Sequence, residues 1–84
     1  MADGKQITLA RMQTGGSGIV VQIQGGHGMV NRLSALDIRL GKRITKVSSA
    51  LMHGPVTIEI DRAQVAIGFG MARRIIVELE QVAK

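Results

Sequence analysis

Gly25-Gly26-His27-Gly28-Met29-Val30-Asn31-Arg32-Leu33-Ser34-Ala35-Leu36-Asp37-Ile38-Arg39-Leu40-Gly41 is a glycine turn, one short helix and a tight stop. Met29, Leu33, Leu36 and Leu40 recur at the spacing of one helical face, which predicts a helix over about residues 28–36. No other stretch of the chain keeps that period. Asp37 stands where a helix-ending glycine is usual, and Asp tolerates the left-handed backbone better than most residues. Around this segment the pattern is that of strands. Ile19, Val21 and Ile23 alternate with Val20, Gln22 and Gln24 upstream, and Val56, Ile58 and Ile60 alternate with Thr57, Glu59 and Asp61 downstream.

Working outward, Ile7-Thr8-Leu9-Ala10-Arg11-Met12 reads as one helical turn, with Thr8 as its cap and Ile7 and Met12 as a hydrophobic staple. The glycines of Gln13-Thr14-Gly15-Gly16-Ser17-Gly18 turn the chain into a first strand at about 18–24. A strand from Lys42 to Ser48 follows the helix. Its apolar residues Ile44 and Val47 are three apart, which breaks strict alternation and predicts a bulge or twist. Asp61-Arg62 is placed as a hairpin turn, leading to Ala63, Val65 and Ile67. Gly68 to Arg74 is a second glycine turn with room for one helical turn, and Ile75 to Glu80 is the last strand. Five short strands with turns every eight to twelve residues indicate a small barrel or sandwich, with the single helix between the first and second strands plugging one end. The expected core is Ile19, Val21, Ile23, Leu33, Leu36, Ile44, Val56, Ile58, Val65, Ile67, Ile75 and Val77.

Eighty-four residues read as one domain, with its core within about 7–80. A chain of this size buries only about two-thirds of its unfolded surface, and with no cysteine neither a disulfide nor thiolate chemistry supplements that core. No apolar run approaches the ~20 residues of a membrane span. The N-terminus is polar rather than a signal peptide, so the expected compartment is the cytoplasm. Net charge is +5, concentrated in Arg32, Arg39, Lys42, Arg43 and Lys46. Such a patch attracts nucleic acid, an anionic surface or an acidic protein. Phe69 is the only aromatic residue, so the stacking platforms of single-strand nucleic-acid binders are missing.

The glycine pairs Gly26-x-Gly28 and Gly68-x-Gly70 lack the third glycine of a dinucleotide fingerprint and the Lys-Ser/Thr of a P-loop. No serine sits on a nucleophile elbow, and an enzyme is not expected. His27 and His53 are the two histidines. Each has a methionine nearby, but a tight site needs three or four ligands, so they are weak metal candidates and ferrous binding is expected to be weak at most. The loop Ser49-Ala50-Leu51-Met52-His53 carries apolar residues where a loop tip should be polar. Leu51 and Met52 are therefore the candidate partner contact, with Arg39, Lys42, Arg43 and Lys46 steering an acidic surface towards it.

Ile7 to Met12 with the glycine turn to Gly18, Ile19 to Ile23, Met29 to Gly41, Gly54-Pro55-Val56-Thr57-Ile58-Glu59-Ile60, and Ala66 to Val77, taken in this order, resemble the ferrous iron transport protein A (FeoA) family. The resemblance implies an SH3-like β-barrel with added helices. It further implies a cytosolic, non-catalytic accessory of ferrous iron transport, acting as an adaptor for a membrane transporter whose cytoplasmic part binds GTP. A basic nucleic-acid-binding barrel and a weak ferrous-ion carrier are the alternatives. The chain departs from the family at Leu36-Asp37-Ile38, where Leu-Gly-Leu is frequent, and at Leu40-Gly41, where Pro-Gly is frequent.

Overall fold

In a computed structural model, residues 5–49 and 52–80 are described. They form six antiparallel strands: β1 (Gln6–Thr8), β2 (Ser17–Ile23), β3 (Arg43–Ser49), β4 (Val56–Ile60), β5 (Ala63–Ile67) and β6 (Ile75–Leu79). Helix α1 (His27–Ser34) joins β2 to β3, and a one-turn helix α2 (Phe69–Ala72) joins β5 to β6. The sheet order is β1-β6-β2-β3-β4-β5, coiled as an SH3-like barrel.

One strand more is present than the sequence suggests. The extra strand is β1, which is only three residues long and pairs with β6 from Gln6↔Glu78 to Thr8↔Ile76. Three residues are too few to show a period. The expected helical turn directly follows it as a 3₁₀ turn at Leu9–Arg11, with the Thr8 side chain accepting from the Arg11 N–H.

Two core assignments shift. In β2 the buried residue is Val20, while Ile19 and Val21 are only half-buried. Alternation defines two faces of a strand without saying which points inward. The inward face is marked by Gly18, in phase with Val20: a Cβ there would lie 2.4 Å from Val77 Cγ1 and 2.5 Å from the Glu78 carbonyl oxygen. Only glycine lets β2 and β6 approach so closely. A register shift between Val20 and Gln22 then lets Ile23 pack against the core.

The second shift is at the end of α1. Leu36, expected in the core, is 36% exposed, and Ile38 is fully buried instead. Asp37 has φ 70°. Its N–H donates to the Ser34 carbonyl and the Ile38 N–H donates to the Leu33 carbonyl, which is a Schellman motif. The left-handed residue turns the chain back, so Ile38 meets the buried Leu33 while Leu36 and Leu40 stay at the surface. The helical period of the sequence continues past the point where the helix stops.

Other turns follow the sequence closely. The register between β3 and β4 shifts between Lys46 and Ser48, where the spacing of Ile44 and Val47 predicts a bulge or twist. Asp61 and Arg62 both take positive φ, 50° and 73°, the pattern of a two-residue type I′ hairpin turn. Ile38→Ala should lower stability by about 2–5 kcal/mol and Leu36→Ala by distinctly less, because only the first leaves a closed cavity. Urea unfolding of the two variants measures the difference.

Candidate docking surface and its charges

The cations of the expected patch are not a free positive surface. Lys46 is 3% exposed. It lies in β3 in phase with the buried Ile44, and its face of the strand points into the barrel. Its ammonium donates to the carbonyls of Leu9 (3.3 Å), Ala10 (3.1 Å) and Met12 (2.7 Å). The Leu9 oxygen also accepts from the Met12 N–H; those of Ala10 and Met12 lie at the end of the 3₁₀ turn, where carbonyls lack helical partners and a cation is favoured. Burial lowers the Lys46 pKa from the ordinary lysine value, while three carbonyl acceptors match the three donors of an ammonium. Lys46 is thus an internal fastening, which corrects its placement on a partner-steering surface.

The other three are paired, Arg39 and Arg43 exposed and Lys42 half-buried. Arg39 meets Asp37 at 2.8 Å, Lys42 meets Asp61, and Arg43 makes a two-pronged contact with Glu80. The Arg43 hydrogen bond holds the Glu80 carboxyl below its usual range, and Glu80 in turn raises the Arg43 pKa. Exposed pairs of this kind contribute little to stability, but they weaken the field that a lone cation would project. Arg11, Arg32 and Arg62 have no ion-pair partner among the described residues.

The candidate contact loop is described only in part. Ala50 and Leu51 lie outside the described residues. Met52 is 94% exposed. Met52 and His53 have φ 60° and 63°, a left-handed pair that costs a non-glycine residue energy wherever it occurs. The His53 ring stacks on Phe69, the first residue of α2, with centroids 4.4 Å apart and planes 19° from parallel. This stack ties the turn to the C-terminal end of β5 and holds the Met52 side chain outward on an anchored support. A second apolar surface borders α1: Ile23, Val30, Ser34, Ile38, Arg39 and Leu40 line a recess of about 300 Å³, and Leu40 at its rim is 64% exposed.

His27 opens α1 and His53 lies in the Met52 turn. Neither belongs to a group of three or more His, Cys, Asp or Glu side chains among the described residues. No helix among those residues is long and apolar enough to cross a membrane.

Barrel, helix and anchored turn together define a small SH3-like domain. The family described as "FeoA domain" matches residues 7–79, and the chain belongs to the FeoA family. It is 34% identical over 70 residues to a protein of Methanocaldococcus jannaschii named "Putative Fe(2+) transport protein A", covering 83% of each chain. Its fold superposes on the crystal structure of an iron uptake regulatory protein (FeoA) with a TM-score of 0.83 at 33% identity, covering 90% of this chain and 99% of that one. It also superposes on a manganese-dependent transcriptional repressor with a TM-score of 0.83 at 22% identity, covering 95% of this chain but 45% of the repressor. The second likeness is one of fold alone.

Two outcomes are expected. Lys46→Met should lower stability by about 2–4 kcal/mol, since it strands the Ala10 and Met12 carbonyls, at least partly removed from water; thermal and urea unfolding read this. Anaerobic titration of the purified chain with ferrous ion should show no one-to-one site of sub-micromolar affinity. Such a site, abolished in a His27→Ala/His53→Ala variant, would reverse that expectation.

Proposed function

We propose that this protein is a non-enzymatic cytoplasmic accessory of ferrous iron transport, an adaptor that docks on the GTP-binding cytoplasmic part of the transporter. Family membership across residues 7–79 carries the reading. The Fe(2+) transport name of the Methanocaldococcus relative supports its iron context. The surface fits docking: an exposed apolar Met52 on a turn braced by the His53–Phe69 stack is a ready-made contact, because little side-chain support must be ordered when a partner arrives. Long-range attraction to an acidic partner comes from the net charge of +5. Arg39, Lys42 and Arg43 contribute to it less than isolated cations would.

The nucleic-acid alternative is weaker on this surface. Three of the cations that would serve it are paired with carboxylates, a fourth is buried, and the Phe69 ring is already stacked on His53. A basic binder of that kind would lose affinity steeply with salt and would need no transporter.

Surface-based binding kinetics with the isolated transporter domain test the adaptor reading. Changing Leu51 and Met52 together to Ser should speed dissociation about tenfold or more, and removing the charges of Arg39, Lys42 and Arg43 should mainly slow association. If the double Ser variant folds and binds like the parent while Leu40→Ser weakens binding, the contact is the recess beside α1. Absence of any binding by the parent would overturn the adaptor reading.

A further inference from the structure

Strand β5 stands at one end of the sheet order and pairs only with β4. The two-residue turn at Asp61-Arg62 makes Ile60↔Ala63 the closing pair of the hairpin. Hydrogen bonding alternates along an antiparallel pair. The main-chain groups of Ala63, Val65 and Ile67 are therefore directed at β4, and those of Gln64 and Ala66 are directed away from the sheet. Ala63, Gln64 and Ala66 are exposed.

Natural sheets blunt an open edge with short strands, charges, prolines or bulges. The opposite edge follows that rule: β1 has three residues, sits between Lys5 and Arg11, and runs straight into the 3₁₀ turn. The β5 edge does not. Ala63-Gln64-Val65-Ala66-Ile67 has no charge and no proline, and its register with β4 is unbroken over five pairs. A neutral, regular, uncovered edge is a template for one more strand.

We infer that the β5 edge receives an extended segment of the docking partner, which adds to the sheet as a seventh strand. This rests on the adaptor reading and gives it a geometry. Charge selects the occupant. Arg62, without an ion-pair partner among the described residues, stands at the start of β5, so the segment carries an acidic residue at that end. At the other end the edge meets Phe69, His53 and the exposed Met52, so the segment ends there on an apolar residue. A second copy of this chain is the poorer occupant. Self-pairing about Val65 would supply only about four main-chain hydrogen bonds. It would also join two chains of charge +5 over a strand far smaller than the ~1,200–2,000 Å² of a stable interface.

Amide hydrogen exchange of the full chain, alone and with the isolated GTP-binding domain of the transporter, tests this directly. Alone, the Gln64 and Ala66 amides should exchange quickly while Val65 and Ile67 are protected. With the domain, Gln64 and Ala66 should slow at least tenfold. Gln64→Pro removes an N–H that β4 does not use, so it should leave the unfolding midpoint near that of the parent and weaken binding at least tenfold. Arg62→Glu, which leaves the edge backbone intact, should also weaken binding. If the domain binds, Met52→Ser weakens that binding, and neither the two amides nor the Gln64→Pro and Arg62→Glu variants respond, strand addition is wrong and the adaptor reading stands. If the domain does not bind the parent at all, both fall. Protection of Gln64 and Ala66 that grows with chain concentration in the absence of the domain would make a second copy the occupant and overturn the proposal.

Discussion

The Lys46 ammonium inside the barrel is the contact on which the rest of this structure leans. An 84-residue chain has little core to hold together the two ends of its sheet. The 3₁₀ turn after β1 supplies Leu9 and Met12, both buried, but a single turn makes only the Met12 N–H to Leu9 carbonyl bond and leaves the carbonyls after it without helical partners. Lys46 reaches from β3 across to that turn and donates to the Leu9, Ala10 and Met12 oxygens at once. Hydrophobic burial then holds Leu9 and Met12 in place, and the lysine removes the polar cost of putting them there. A charge is expensive to bury unless it is fully hydrogen-bonded, and three acceptors for the three protons of an ammonium meet that condition. No buried side-chain nitrogen or oxygen among the described residues lacks a partner.

This interior use of a lysine changes how the charge of the molecule acts. The run from Arg32 to Lys46 resembles a docking patch in the sequence, yet in the fold it divides into one internal fastening, three ion pairs and a lone Arg32. What remains for recognition is chiefly shape and main chain: Met52 on a left-handed turn, a stacked His53–Phe69 pair bracing it, and the uncharged edge of β5 beside them. These neighbours come from three separate parts of the chain, and the hairpin of β4 and β5 is what brings them together. Binding through such a surface gains its specificity from register and from a few apolar side chains, with the net positive charge acting at longer range.

The legible parts of the fold are those fixed by local rules. Asp37 is readable as a left-handed stop because few residue types accept that backbone. The bulge in β3 is readable from the broken alternation of Ile44 and Val47, and the Asp61-Arg62 turn from its place between two alternating runs. The illegible parts depend on what the chain meets in space. Alternation in β2 does not say that Val20 rather than Ile19 and Val21 faces inward; the absence of room for a side chain at Gly18 decides it, and that is a property of β6. Leu36 fits the helical period, but the period outlasts the helix, and Ile38 takes its place once Asp37 reverses the chain. Lys46 shares the inward phase of Ile44. Its charge argues for the surface, and only the carbonyls of a turn far earlier in the chain draw it inside. Of the candidate docking residues, Met52 is legible as an apolar residue at a loop tip. Its brace is not, since His53 and Phe69 carry no pairwise signal in sequence.

Proton exchange at Lys46 Nζ tests the internal fastening most directly. In nitrogen-detected or nitrogen-edited spectra at neutral pH, the Lys46 ammonium should give a signal distinct from those of Lys5, Lys42 and Lys84, with protons that exchange slowly with water and couple to the carbonyl carbons of Leu9, Ala10 and Met12. An ammonium at Lys46 that exchanges as fast as the other three, with no such couplings, would mean that the lysine is solvated and that something else closes the barrel.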